Sequence, residues 1–135
     1  MSARTKARKR ALDLLYSADI RGVPLAEAVA EEARRAASEP QRESSWLYAR
    51  EIVDGVSDHA AEIDAAITDA ARGWTLSRMP AVDRALLRLA SWEILFNEEV
   101  PAGVAIAEAV SLAKELSTEE SPAFVNGVLG AVAGR

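Results

Sequence analysis

The chain has 135 residues, half of them apolar and 27% charged, with a net charge of −5 and no cysteine. That length suits a single domain over residues 1–135 with a substantial core. The lack of cysteine excludes disulfides and thiolate metal sites, and no apolar run reaches the ~20 residues of a membrane span.

The charge is unevenly spread. Residues 1–10 hold Arg4, Lys6, Arg8, Lys9 and Arg10 and no acid; against a net −5 for the whole chain, those five leave residues 11–135 at −10. A basic end on an acidic body points to a polyanion partner for that end. The plainer alternative is a solvated terminus. No apolar signal core follows it, so it is not an export signal, and a reducing cytoplasm fits the composition.

The first helix is expected from about Arg4 to Ile20, stopping at Gly22, with Ala7, Ala11, Leu14, Leu15 and Ala18 on its buried stripe. The cations crowd its first two turns, where they oppose the helix dipole. Free N–H groups at a helix start suit phosphate, and several local rules failing together often mark a functional site. Alone, such a first turn frays. A second helix, about Pro24 to Ala37, turns Leu25, Val29 and Ala36 inward and ends at Ser38-Glu39-Pro40. A long third pattern, about Glu43 to Ala71, repeats Trp46, Leu47, Ile52, Val53, Val56, Ala60, Ile63 and Ile67 at helical spacing. Gly55 and Ser57 are expected to interrupt it, with Ser57 as an N-cap. Trp74 to Met79 forms a bend into Pro80.

Residues 80–96 are apolar on nearly every side, apart from a narrow stripe of Arg84, Arg88 and Ser91. Such a helix needs neighbours on several faces, so it is expected to be the central rod. Pro80 suits the first helical position. A helix from about Ala102 to Leu116 should bury Val104, Ala107, Ala109, Val110 and Ala113. The last, with Ser121 as N-cap and Pro122 at the first helical position, buries Phe124, Val125, Val128, Leu129 and Val132. Gly127 inside it predicts a close helix approach, since glycine there costs about 1 kcal/mol against alanine. The fold class is all-α: six to seven helices in two small groups, divided near residue 72.

No catalytic constellation emerges. His59 is the only histidine and has nothing at ligand spacing, so it reads as a surface helix residue. The serines lack a relay, and the acid pairs read as solvated faces. The glycines are scattered, so no phosphate loop exists. An enzyme is disfavoured, and no metal or cofactor is expected. Trp46, Trp74 and Trp92 read as core or seam packers. Tyr16, seven residues after Lys9, shares its helix face and is either a half-buried anchor or a base-stacking ring. Asn126, polar beside Gly127, either ties down a neighbouring backbone or faces a ligand.

Two stretches together resemble the NusB family of bacterial transcription antitermination factors. One is Ala7-Arg8-Lys9-Arg10-Ala11-Leu12 through Leu15-Tyr16. The other runs from Val82-Asp83-Arg84-Ala85-Leu86-Leu87-Arg88 through Glu93, Val100-Pro101, Ala105 to Val110 and Ala113-Lys114 to Phe124-Val125-Asn126-Gly127-Val128-Leu129. Residues 24–72 carry little of the motif. The Trp74 turn and the acidic body look like an actinobacterial member.

The resemblance implies two helical bundles that bind single-stranded boxA RNA of ribosomal-RNA leader transcripts. It also implies partnership with NusE, a small-subunit ribosomal protein, within the RNA polymerase antitermination complex. By position, Arg4, Lys6, Arg8, Lys9, Arg10 and Tyr16 match the family's RNA-binding start. Phe124 and Asn126 match a second RNA-facing element, and Asp83 and Arg88 the NusE-binding side. Asp13, an acid near that RNA face, departs from the pattern. Some members self-associate, so a homodimer is a further possible partner. The substitutions Arg8→Ala and Arg10→Ala together are expected to weaken RNA binding and leave helicity intact. Two other readings are the RNA-binding front domain of a ribosomal-RNA cytosine methyltransferase and a helical dimerisation scaffold.

Overall fold

The computed structural model describes residues 2–39 and 43–135. Seven α-helices occur among them: α1 (Ala3–Arg21), α2 (Leu25–Ala37), α3 (Glu43–Asp58), α4 (Ala60–Ala70), α5 (Ala81–Phe96), α6 (Ala102–Leu116) and α7 (Ser121–Ala133). A 3-10 turn, Leu76–Arg78, leads into α5. No helix among the described residues is long and apolar enough to cross a membrane. Pro40, expected to end α2, lies outside the described residues.

The expected central rod is α5. It packs against α1, α3, α4, α6 and α7. Leu86, Leu87, Leu89, Ala90 and Trp92 on it are all buried, each large side chain contributing about 1.5–3 kcal/mol. The α1–α3 group forms a front bundle, and α4 to α7 form a rear one. The division therefore falls at His59 rather than near residue 72, because α4 packs on α5 and α7 far more than on α3.

Local chemistry sets the helix ends. The Ser2 hydroxyl accepts from the Thr5 N–H at 3.1 Å, so the first turn of α1 is capped rather than frayed. Gly22 ends α1 in the left-handed region at φ 67°, its N–H reaching back to Ala18 and Asp19 carbonyls. Arg84 and Arg88 form a half-buried ionic seam. Arg84 donates to Asp19 Oδ2 at 2.7 Å and to the Leu76 and Met79 carbonyls, and Arg88 donates to both oxygens of Asp64 at 2.9 and 3.1 Å. Ser91 does not join that wet stripe; it is fully buried and, among the described residues, its Oγ has no partner.

Several other expectations are corrected by packing. The α3 helix runs through Gly55 and Ser57 to Asp58, so Ser57 is no cap. Gly55 lies against the indole of Trp92, where an added Cβ would sit 2.0 Å from Nε1. Gly127 has nothing among the described residues within 4 Å of that position. The close approach therefore belongs to Gly55. Leu47 is 63% exposed and Val104 45%, and Ala60 and Ala107 are also exposed, since α3, α4 and α6 each turn only one face to α5. Trp46 and Trp92 are buried, but Trp74 is half exposed. His59 is not a plain surface residue: its ring stacks on Phe96 with centroids 3.9 Å apart.

These two glycines give a paired prediction. Gly55→Ala should lower unfolding free energy by about 1–3 kcal/mol as the indole is forced aside. Gly127→Ala should raise it by about 0.5–1 kcal/mol. Urea denaturation of both variants checks this.

Candidate nucleic-acid interface

The first two turns of α1 carry the basic cluster, and the fold divides its cations into two kinds. Arg8 lies on the inner face of α1 at 3% exposure, because Ala7, Ala11 and Leu12 beside it pack into the core. Its Nε donates to both oxygens of Glu93 at 3.0 Å, and its Nη1 to Glu108 at 3.1 Å. Glu93 is wholly buried on α5 and also accepts from the Tyr48 hydroxyl. Asn97 donates to that hydroxyl at 3.1 Å, and Thr5 donates to Glu108 at 2.8 Å. One knot thus ties α1, α3, α5 and α6 together.

The electrostatics of the knot are self-consistent. Burial works against the Arg8 charge, but the hydrogen bonds and charge of Glu93 outweigh it, so the guanidinium is held more firmly protonated than usual. Burial, then the Glu93 acceptor, pushes the Tyr48 phenol well above its ordinary range, so it stays a donor.

Arg10 is also held. Its Nη2 reaches Glu32 at 2.6 Å, its Nη1 donates to Ser45, and its guanidinium lies over the Trp46 ring at 5.4 Å. The remaining cations face outward. Arg4 bridges to Glu99 at 3.1 Å while lying over the Tyr48 ring at 4.2 Å. Lys9 reaches Glu115 at 2.6 Å. Lys6 is exposed and, among the described residues, pairs with no carboxylate. Asp13 follows on the same helix; desolvation, with the charge of Glu32, pushes its carboxyl up against the opposing pull of Lys9.

Tyr16 is 39% exposed two turns beyond Lys9. Phe124 is half buried, with Trp74 edge-on at 5.8 Å. Asn126 is exposed and, among the described residues, ties down no backbone. The Lys9–Glu115 pair sets the second turn of α1 beside the end of α6, where the connection to Phe124 begins. Asp83 and Arg88, expected on a partner-binding side, are engaged within the chain. Asp83 is buried and accepts from Ser117 at 2.5 Å and Ser121 at 2.9 Å, fastening the α6–α7 connection to α5. Ser121 takes that role instead of capping α7. Arg88 is held by Asp64.

Sequence reasoning missed Glu93, Tyr48 and the α6 carboxylates. Glu93 carried the one available signal: an acid inside an otherwise apolar helix must find a cation.

Together these features define a small all-helical domain with a capped, outward-facing basic helix start on a rigid central helix. A model described as the NusB family matches residues 5–134, and the chain belongs to that family. It is 67% identical over 133 residues to the transcription antitermination protein NusB of Leifsonia xyli subsp. xyli, covering 98% of this chain and 92% of that one. It is 61% identical to the same protein of Clavibacter sepedonicus, covering 98% and 97%. The fold superposes on T. maritima NusB with a TM-score of 0.80 at 32% identity, covering 98% of this chain and 91% of that chain. It also superposes on a crystal structure of the antitermination factors NusB and NusE in complex with double-stranded RNA, with a TM-score of 0.83 at 30% identity, covering 99% and 98%.

The knot changes the expectation for the paired arginine substitution. Arg8→Ala leaves Glu93 buried and unpaired, and should cost about 3–5 kcal/mol of stability. Lys9→Ala, losing an exposed pair, should cost under about 1 kcal/mol. Denaturant midpoints of the two variants check the difference.

Proposed function

We propose that this chain is a transcription antitermination factor that grips boxA-type single-stranded RNA through the start of α1 and acts with NusE in the RNA polymerase antitermination complex. The observation that carries the RNA-binding part is the trio Arg4, Lys6 and Lys9, outward-facing on a helix start that Ser2 caps. Related proteins named as antitermination factors match it over nearly their whole length, which favours this reading over the front domain of a methyltransferase. A structural relative is found with NusE and double-stranded RNA. The protein acts by binding, with no catalytic step, in the cytoplasm where transcripts are made.

In this reading Arg4, Lys6 and Lys9 contact phosphates. Arg8 and Arg10 hold the helix that presents them. Tyr16 and Phe124 offer rings to unstacked bases, worth about 1–3 kcal/mol each, and Asn126 offers its free amide to a base edge. Asp83 and Arg88 serve NusE indirectly, by shaping the α6–α7 connection and the α4–α5 seam.

Three phosphate contacts predict that log K falls against log salt with a slope of about −2. Lys6→Ala with Lys9→Ala should weaken binding of a boxA-type strand at least about ten-fold at low salt, with the melting temperature unchanged. Fluorescence anisotropy, with single-stranded, scrambled and duplex RNA, measures this; unchanged affinity in that variant would overturn the assignment. Retention of the cognate NusE on the immobilised protein tests the partner.

A further inference from the structure

The carboxylates that hold the cations at the start of α1 differ sharply in burial, with Glu108 between the extremes at 25% exposed. Glu93 and Glu32 are buried and hold Arg8 and Arg10, themselves 3% and 11% exposed at the side chain. Glu99 and Glu115 are different. Their side chains are 73% and 50% exposed, and they hold Arg4 and Lys9, which are 43% and 29% exposed. The first class is structural, because breaking a buried pair strands a charge. The second is held weakly, because exposed pairs are screened by water and salt.

The second class also occupies a telling position. A carboxylate oxygen 2.6 Å from Lys9 Nζ and another 3.1 Å from Arg4 Nη2 sit at the distances a phosphate oxygen takes in a charge-assisted hydrogen bond. A phosphate oxygen approaching the same N–H groups competes with them. Arg4 need not move far to change partners, since it rests over the Tyr48 ring, which leaves its guanidinium edges available.

We propose that Glu99 and Glu115 are intramolecular competitors for RNA, each holding a cation of α1 until a phosphate takes its place. They set the affinity of the face and keep weak polyanions off it, leaving Lys6 as the first free point of attachment. This rests on the RNA-binding reading above. Salt weakens the internal pair as well as the phosphate contact, so the competitors also flatten the salt dependence of binding.

The test is anisotropy with a labelled boxA-type strand and a scrambled strand of equal length. It compares the unsubstituted protein, Glu99→Gln with Glu115→Gln, and a control, Glu51→Gln with Asp58→Asn. Glu51 and Asp58 are exposed on α3, and their substitution changes the net charge equally. The Glu99/Glu115 variant should bind both strands about three- to ten-fold tighter at low salt, with a salt slope steeper by about one, and the control should stay within about two-fold. Binding by the unsubstituted protein with equal gains in the variant and the control, or with none, overturns this proposal alone. No binding by the unsubstituted protein overturns the RNA reading and this proposal with it. A loss of affinity in the Glu99/Glu115 variant with its melting temperature intact also overturns it.

Discussion

The buried ion pair of Arg8 with Glu93 is the constraint on which the arrangement of this molecule depends. A guanidinium at the start of a helix is unfavourable there, and a carboxylate inside an apolar helix is costly without a partner. Each removes the other's penalty, and Tyr48, Asn97, Thr5 and Glu108 use the remaining hydrogen-bonding positions. An ion pair of this kind adds little or nothing to stability beyond what a well-packed apolar pair would supply, although losing one partner alone is costly. What it fixes is register: α1 has one rotation and one height against α5.

That register is what makes the surface chemistry specific. With Arg8 turned inward, Lys6 on the far side of the helix faces out, Arg4 one turn earlier rests at the rim over Tyr48, and Lys9 arrives beside the end of α6. From there the chain leads through the connection that Asp83 fastens, with Ser117 and Ser121 as donors, to Phe124. A flexible basic tail would carry the same charge but would lose conformational freedom on binding. Here the fold has already ordered the helix that carries it.

Much of this was legible from the residues. The bounds of α6, the stop of α1 at Gly22 and the central place of α5 follow from periodicity and capping, which are local. The roles of Gly55 and Gly127 were not: the close approach expected at Gly127 is found at Gly55, because a glycine's reason lies across the interface, here at the Trp92 indole. Exposure of Leu47, Val104 and Trp74 likewise depends on which neighbours reach each face. The basic cluster was visible as a run of five cations. Its split into buried and outward members was hidden, because that turns on Glu93, Glu32, Glu99 and Glu115, far away in the chain.

Side-chain nitrogen resonances separate the two kinds of cation most directly. In a titration with a boxA-type strand, the Arg8 Nε–H signal should be sharp, protected from solvent exchange and unmoved, while the signals of Arg4, Lys6 and Lys9 shift. A large displacement of the Arg8 signal, with Lys6 and Lys9 unaffected, would contradict the account.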